Sequence, residues 1–322
     1  VSGEFAPMKC LSETKGAKKM NHHYSYEAAV GASEKIGWRI EDVIGNGKTL
    51  DFTKPFMPES LARANQYPSL NDTQKRVLNQ IRGSAYLRIF GLVEEFILPF
   101  VLDHVRPHLS GNDYRVRAFL QFAGEEAKHI QLFKRFAEDF DRGFGIKCNV
   151  IGPPEAVAQA ILAHHPLAVA LVILHIEWMT QKHYVESVDK NEDLDPLFKS
   201  LLRHHWMEES QHAKLDTLMV EALAEGLSED EISRAVDEYL EIGGFLDAGL
   251  KQQVAFDIDT LCEATNLQLD AEERGDLESI QLQANRWTYL GSGMTHPNFL
   301  ATLGNLSPAG REKIEGVSEA FC

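Results

Sequence analysis

Glu125-Glu126-Ala127-Lys128-His129 and Glu208-Glu209-Ser210-Gln211-His212 are the stretches on which the reading of this chain turns. In each, a glutamate and a histidine stand three residues apart, Glu126 with His129 and Glu209 with His212. On a helix such a pair shares one face. A single Glu-x-x-His is ordinarily a pair of surface residues and arises by chance. Two copies, on two long helices with one helix between them, predict carboxylate and imidazole ligands gathered inside an all-α bundle. That arrangement needs one more glutamate from each of the two other helices.

Both glutamates can be found. Glu177 stands in Leu171-Val172-Ile173-Leu174-His175-Ile176-Glu177-Trp178-Met179, with apolar residues on nearly every side. A carboxylate buried there costs several kcal/mol, on the order of a lost ion pair, unless a cation accompanies it. The first helix offers Glu94 and Glu95. Glu94 shares its face with Leu87, Phe90, Gly91, Ile97, Leu98 and Val101, whereas Glu95 shares a face with Arg88. The apolar stripe selects Glu94. His205 adds a third ligand to the last helix. At about 100° per residue, His205, Glu209 and His212 lie within roughly 60° of one another. The candidate metal ligands are thus Glu94, Glu126, His129, Glu177, His205, Glu209 and His212. Four glutamates bring about four negative charges, which two divalent ions neutralise while the histidines stay uncharged. Carboxylate and imidazole without thiolate suit iron, with manganese as the other candidate, and disfavour structural zinc.

Helix signals frame these residues. A long helix is expected from Asn71 or Asp72 to about His104, with Pro99 set to kink or end it. A second runs from Asp113 to about Arg142, stopped by Gly143 and Gly145. Pro153 and Pro154 open a short helix. A third long helix spans Pro166 to about Val188, and a fourth Pro196 to Glu225, closed by Gly226. Ser228-x-x-Glu231 is a capping box that opens more helix, expected through about residue 286. Residues 25–38 read as a short helix and 45–58 as a turn-rich connector. The tail after Trp287 carries Gly, Pro and Asn and reads as cover or loop. The expected organisation is an N-terminal tail and covering segment over 1–69, a metal-binding bundle over 70–226, and further helices over 227–322 packed on it as one domain.

Composition excludes several classes. The 322-residue chain has a formal charge of −16, which argues against nucleic acid and anionic membrane surfaces and favours solubility. Cys10, Cys148, Cys262 and Cys322 form no C-x-x-C pair, so neither a disulfide framework nor a thiolate site is expected, and a reduced cytoplasmic setting follows. Val1 to Met20 has no apolar secretory core. The apolar run Leu167 to Ile176 is too short to span a bilayer. No zincin motif, phosphate-binding loop or nucleophile elbow is present. Of the other histidines, His175, His183 and His204 miss the ligand faces and read as packing or surface residues, with an outer-sphere role open to them. His22-His23 and His164-His165 read as solvated.

Together, Glu94, Glu126-x-x-His129, Glu177 and Glu209-x-x-His212 resemble the ferritin-like di-iron oxygenases. With His205 added, His205-x-x-x-Glu209-x-x-His212 resembles the p-aminobenzoate N-oxygenase family over about residues 70–225. The resemblance implies a ferritin-like four-helix bundle with two iron ions and seven ligands. It also implies a homodimer that takes O2 and electrons from an external donor and oxygenates a small aryl amine. A di-iron desaturase or C-hydroxylase, which lacks the extra histidine, and a ferroxidase are the competing readings. An enclosed apolar cavity, a long narrow tunnel and an acidic access path respectively would distinguish the three. Thr180 and Tyr184 lie on the face of Glu177, where core packing is preferred to a role in lining an oxygen pocket.

Overall fold

The computed structural model describes residues 22–111 and 113–322. Among these the regular structure is helical, and the fold is a four-helix bundle with added helices. Short pieces come first: α1 (Tyr26–Ser33), α2 (Ile40–Val43) and α3 (Glu59–Ala62). The bundle proper is α4 (Asp72–Val105), α5 (Asp113–Phe144), α7 (Pro166–His183) and α8 (Pro196–Ala224), with α6 (Pro154–Leu162) between the two halves. Next come α9 (Glu229–Thr265) and α10 (Ala271–Arg286), then α11 (Ser292–Met294), α12 (Pro297–Leu306) and α13 (Pro308–Ser318).

Local chemistry sets these limits. Asn71 caps α4 and Ser228 caps α9, each in a reciprocal box with the residue three further on. Gly226 takes φ +83 after α8, a conformation that glycine adopts without penalty. The helix continues through Pro99 to Val105 instead of ending there. Helices α4 and α5 pack along one another across a short link, as do α7 and α8, so each pair runs antiparallel. Helix α7 is buried on nearly every side, which its unbroken apolar run requires.

Buried apolar side chains from Ala29 to Ile314 form one continuous core. The long α9 closes the bundle by packing on α4 and α7. A buried polar cluster ties it there. Arg82 of α4 donates to Asn285 of α10 and lies 3.6 Å from Asp257 of α9. Gln253 donates to Asp257 at 2.8 Å and to the Asn149 carbonyl at 3.0 Å.

The segment after Trp287 corrects the expectation of loop. It forms a π-helical turn, Trp287–Gly291, and then α11, α12 and α13. Its prolines stand in the first turns of α12 and α13, where the missing N–H is harmless. Gly293 is there for contact: a Cβ would lie 2.2 Å from His175 Cδ2. Cys148 and Cys262 are free thiols, whereas Cys322 is disulfide-bonded, which the cysteine spacing did not foretell. The expected tail over 1–20 lies outside the described residues. No described helix is long and apolar enough to cross a membrane.

Candidate metal centre

The four bundle helices point their acids and imidazoles at one place. Six of the seven predicted residues fall into two overlapping groups whose ligating atoms lie within 4.8 Å of one another. One group is Glu94, His129, His205 and Glu209, and the other is Glu126, His129, Glu209 and His212. His205 Nε2 stands 3.1 Å from Glu94 Oε1 and 2.8 Å from Glu209 Oε1. His129 Nδ1 is 3.0 Å from Glu209 Oε1, and His212 Nδ1 is 2.8 Å from Glu126 Oε1. Glu94 is buried in the cluster, while Glu95 is half-buried and pairs with Lys134 at 2.8 Å. Of the two, Glu94 is the one the bundle places in the cluster. Glu177 lies outside both groups. It is buried beside Glu209 and hydrogen-bonded to it, with its Oε2 unpartnered.

The electrostatics describe a site short of positive charge. Burial, then the charge of Glu209, pushes the Glu177 carboxyl well above the usual range. Burial alone would lower the His129 and His212 imidazoles, but Glu209 and the other surrounding carboxylates hold both well above theirs. Burial would raise Glu209, yet His205, His212 and His129 together hold it well below. Glu94 Oε2, Glu126 Oε2 and Glu177 Oε2 have no hydrogen-bond partner, and Glu126 Oε1 and Glu209 Oε1 face only imidazole nitrogens that are poorly aligned for hydrogen bonding. Buried acceptors are almost always matched, so a convergent set of unmatched ones fits cations. The residues present fit a pair of metal ions in donor type, burial and charge.

The first glutamate of each Glu-Glu doublet has its own task, which sequence reasoning missed. His129 Nε2 donates to Glu208 Oε2 at 2.8 Å, and His212 Nε2 donates to Glu125 Oε2 at 2.7 Å. The pairing is crossed: the doublet on each helix holds the imidazole of the other, leaving both Nδ1 atoms facing the cluster. Such partners fix the ring orientation and tautomer of a ligating histidine. The signal was the doublet itself, repeated ahead of both histidines. Glu208 also accepts from Lys128, whose ammonium stands 3.9 Å over the Trp38 ring, and Glu125 accepts from Ser33 at 2.5 Å. The N-terminal segment thus covers this side of the cluster.

Asp216 was also missed. It is fully buried one turn after His212, neither oxygen has a partner, and burial raises its carboxyl well above the usual range. His175, His204 and His165 are accounted for by packing and caps. His175 bonds the Tyr289 carbonyl at 3.0 Å and the Tyr239 hydroxyl at 3.2 Å, His204 bonds the Ser200 carbonyl at 2.7 Å, and His165 caps α7. Contrary to the solvated reading of His22, its Nε2 pairs with Glu221 at 2.8 Å.

A cavity adjoins the cluster. His205, Tyr86, Thr180, His183 and Tyr184 line it, and Met57, Leu61, Val188 and Leu202 supply the apolar remainder. Thr180 and Tyr184 border this space while also packing in the core, Tyr184 stacked on Trp206. Room for a water centre is about 10 Å³, enough for about one molecule. Part of the wall is a π-helical turn, Tyr184–Val188, a distortion frequent at functional sites.

The family model described as p-aminobenzoate N-oxygenase AurF matches residues 23–242. A search among curated proteins gives no significant sequence match. Similar solved structures include an R2-like ligand-binding oxidase with aerobically reconstituted Mn/Fe cofactor. It is 15% identical, with 83% of this chain and 92% of that one covered and a TM-score of 0.42. A variant of R2-like ligand-binding oxidase with aerobically reconstituted Fe/Fe cofactor is also 15% identical, with 82% and 92% covered and a TM-score of 0.42.

Proposed function

This chain belongs to the p-aminobenzoate N-oxygenase AurF family, and from that premise we propose that it is a di-iron oxygenase acting with O2 on the nitrogen of a small aryl amine. Its membership makes it a di-metal oxidoreductase; the choice of iron, the amine and the ligand assignment are our reading. We assign Glu94, Glu126, His129, Glu177, His205, Glu209 and His212 as the ligands. Bound there, two iron ions supply the O2-reducing chemistry. The protein's own part is to set the stage. Glu125 and Glu208 fix the two imidazoles, the aliphatic wall keeps bulk water from the cluster, and the cavity holds the small reactant beside His205. An aryl amine is larger than the free space, so the wall must open to admit it. The reading includes an external electron donor, a homodimer and a cytoplasmic setting, as the family resemblance suggests.

The observation that carries this reading is His205. A third imidazole, one turn before Glu209, is buried between Glu94 and Glu209 and also forms part of the cavity wall. A six-ligand desaturase or hydroxylase does not require it. The test is anaerobic reduction of iron-loaded protein, then O2 addition followed by absorption spectroscopy with a panel of aryl amines, for wild type and His205→Ala. The variant retains six ligands, so iron content should stay near two per chain. Its spectrum after O2 should change and amine oxygenation should be largely lost. An unchanged spectrum and turnover would reduce His205 to a packing residue and leave only an unspecified di-metal oxidase.

A further inference from the structure

The two Glu-Glu doublets place nearly the same hydrogen-bond arrangement on either side of the cluster, and they differ by one charge. Glu208 Oε2 accepts from His129 Nε2 at 2.8 Å, and its Oε1 pairs with the Lys128 ammonium. Glu125 Oε2 accepts from His212 Nε2 at 2.7 Å, and its Oε1 accepts from the Ser33 hydroxyl at 2.5 Å. The Gln211 amide adds a second neutral donor to Glu125 at 3.2 Å. Among the described residues no lysine or arginine lies within ion-pair range of Glu125. Glu208 thus has a cation on its outer oxygen, where Glu125 has a hydroxyl.

Lys128 is fixed in this place from two sides, by a buried carboxylate and by an aromatic face. Its ammonium stands 3.9 Å over the Trp38 ring. That ring is itself stacked on the His129 imidazole, with centroids 6.2 Å apart and planes 9° from parallel. Glu208 is fully buried and Lys128 is half-buried, so solvent screens the pair only in part.

A carboxylate that accepts the outer N–H of a ligating imidazole makes that imidazole a more basic donor. A cation on the same carboxylate withdraws part of that effect. We propose that Lys128 sets the two metal positions apart: by neutralising Glu208 it leaves His129 a weaker donor than His212. This rests on the ligand assignment made above. Glu126 and His212 belong to one ligand group only, and Glu94 and His205 to the other only. With one Glu-x-x-His imidazole for each position, His129 serves the position of Glu94 and His205. That position is the electron-poorer of the two. It is also the one that meets the cavity, since His205 forms part of the wall. Lys128 is a positioning residue that acts through Glu208.

Stepwise stripping of Mn2+ from the fully loaded protein by chelators of graded affinity, with the released ion counted by electron paramagnetic resonance, tests this. Lys128→Met should tighten one of the two ions by about tenfold and leave the other within about twofold. Adding His205→Ala should loosen that same step and not the other. Lys128→Arg, which keeps the cation, should behave as wild type. Trp38→Leu removes the aromatic hold alone and should give part of the tightening. Ser33→Ala removes a neutral donor and should change either step by less than about threefold. Denaturant unfolding of the metal-free full chain should move the opposite way. Lys128→Met leaves Glu208 buried without its cation and should lower the midpoint. A purely structural lysine would instead lower stability and metal affinity together. Weaker metal binding in Lys128→Met, or equal tightening of both ions, would overturn the inference. If wild type holds fewer than two ions, the ligand assignment fails and the inference with it. If it holds two and Lys128→Met alters neither, the assignment stands and the inference alone fails.

Discussion

Two buried polar clusters sit in the same helical core, and they differ in where their positive charge comes from. Around Arg82 and Asp257 the chain carries its own cation, and the amides of Gln253 and Asn285 connect that pair to the backbone at Asn149, Ile151 and Leu250. Only Arg82 Nε and Asp257 Oδ2 are left over. Around Glu126 and Glu209 there is no arginine; acids from four helices meet histidines, and the unmatched oxygens converge on shared points. The first cluster is complete as a protein. The second becomes complete only with cations from outside. Burial of acid alone therefore does not identify a metal site; convergence of unmatched acceptors does.

The largest effect should come from Glu126→Ala, which removes a charge and a donor from the second cluster. Elemental analysis should fall from near two metal ions per chain to below about one, while Arg82→Met should leave it near two. Metal loss in Arg82→Met would mean that the clusters are not separable. Arg82→Met should instead leave Asp257 buried without its cation and reduce unfolding stability by about 3–5 kcal/mol in denaturant titration.

Asp257→Asn sharpens the same contrast through pH. Burial, tempered by Arg82, lifts the Asp257 carboxyl from 3.8 to about 6. The folded state then binds the proton more firmly than the unfolded one. The contribution of Asp257 to stability is full below about pH 4 and is lost as pH rises through about 6. The Asn variant lacks this dependence, so its stability relative to wild type should climb by up to about 3 kcal/mol between pH 4 and 7. A flat difference across that range would show that Arg82 keeps Asp257 ionised throughout. The smallest expected effect is that of Glu208→Gln, which keeps an acceptor for His129 but removes its charge. Metal affinity, measured by chelator competition, should weaken by about 10- to 100-fold with no change in stoichiometry.

What the sequence disclosed was whatever is written locally. The capping boxes at Asn71 and Ser228, the glycine stop at Gly226 and the repeated Glu-x-x-His motif each depend on neighbours within a turn or two, and they position the bundle and most of its cluster. Glu94 was preferred to Glu95 on a stripe that a helix wheel displays. The misses are long-range. Gly293 reads as a breaker until His175 is seen packed against it. Arg82 and Asp257 are 175 positions apart, and nothing near either announces the other. Thr180 and Tyr184 pack in the core, but that they also border open space depends on Met57 and Leu202, which arrive from other parts of the chain. Asp216 continues the spacing of Glu209 and His212 by one more turn, and only its burial without partners draws attention to it.

The crossed pairing of Glu125 with His212 and Glu208 with His129 has a mechanical consequence. Helices α5 and α8 could slide past one another by a turn, about 5.4 Å, and still present apolar side chains to the core. Such a slide would break both pairs at once, because each helix supplies an acid to one pair and an imidazole to the other. The two contacts work as matched alignment marks on a pair of sliding rules: they coincide in a single register, and any other leaves two buried acids and two rings unmatched.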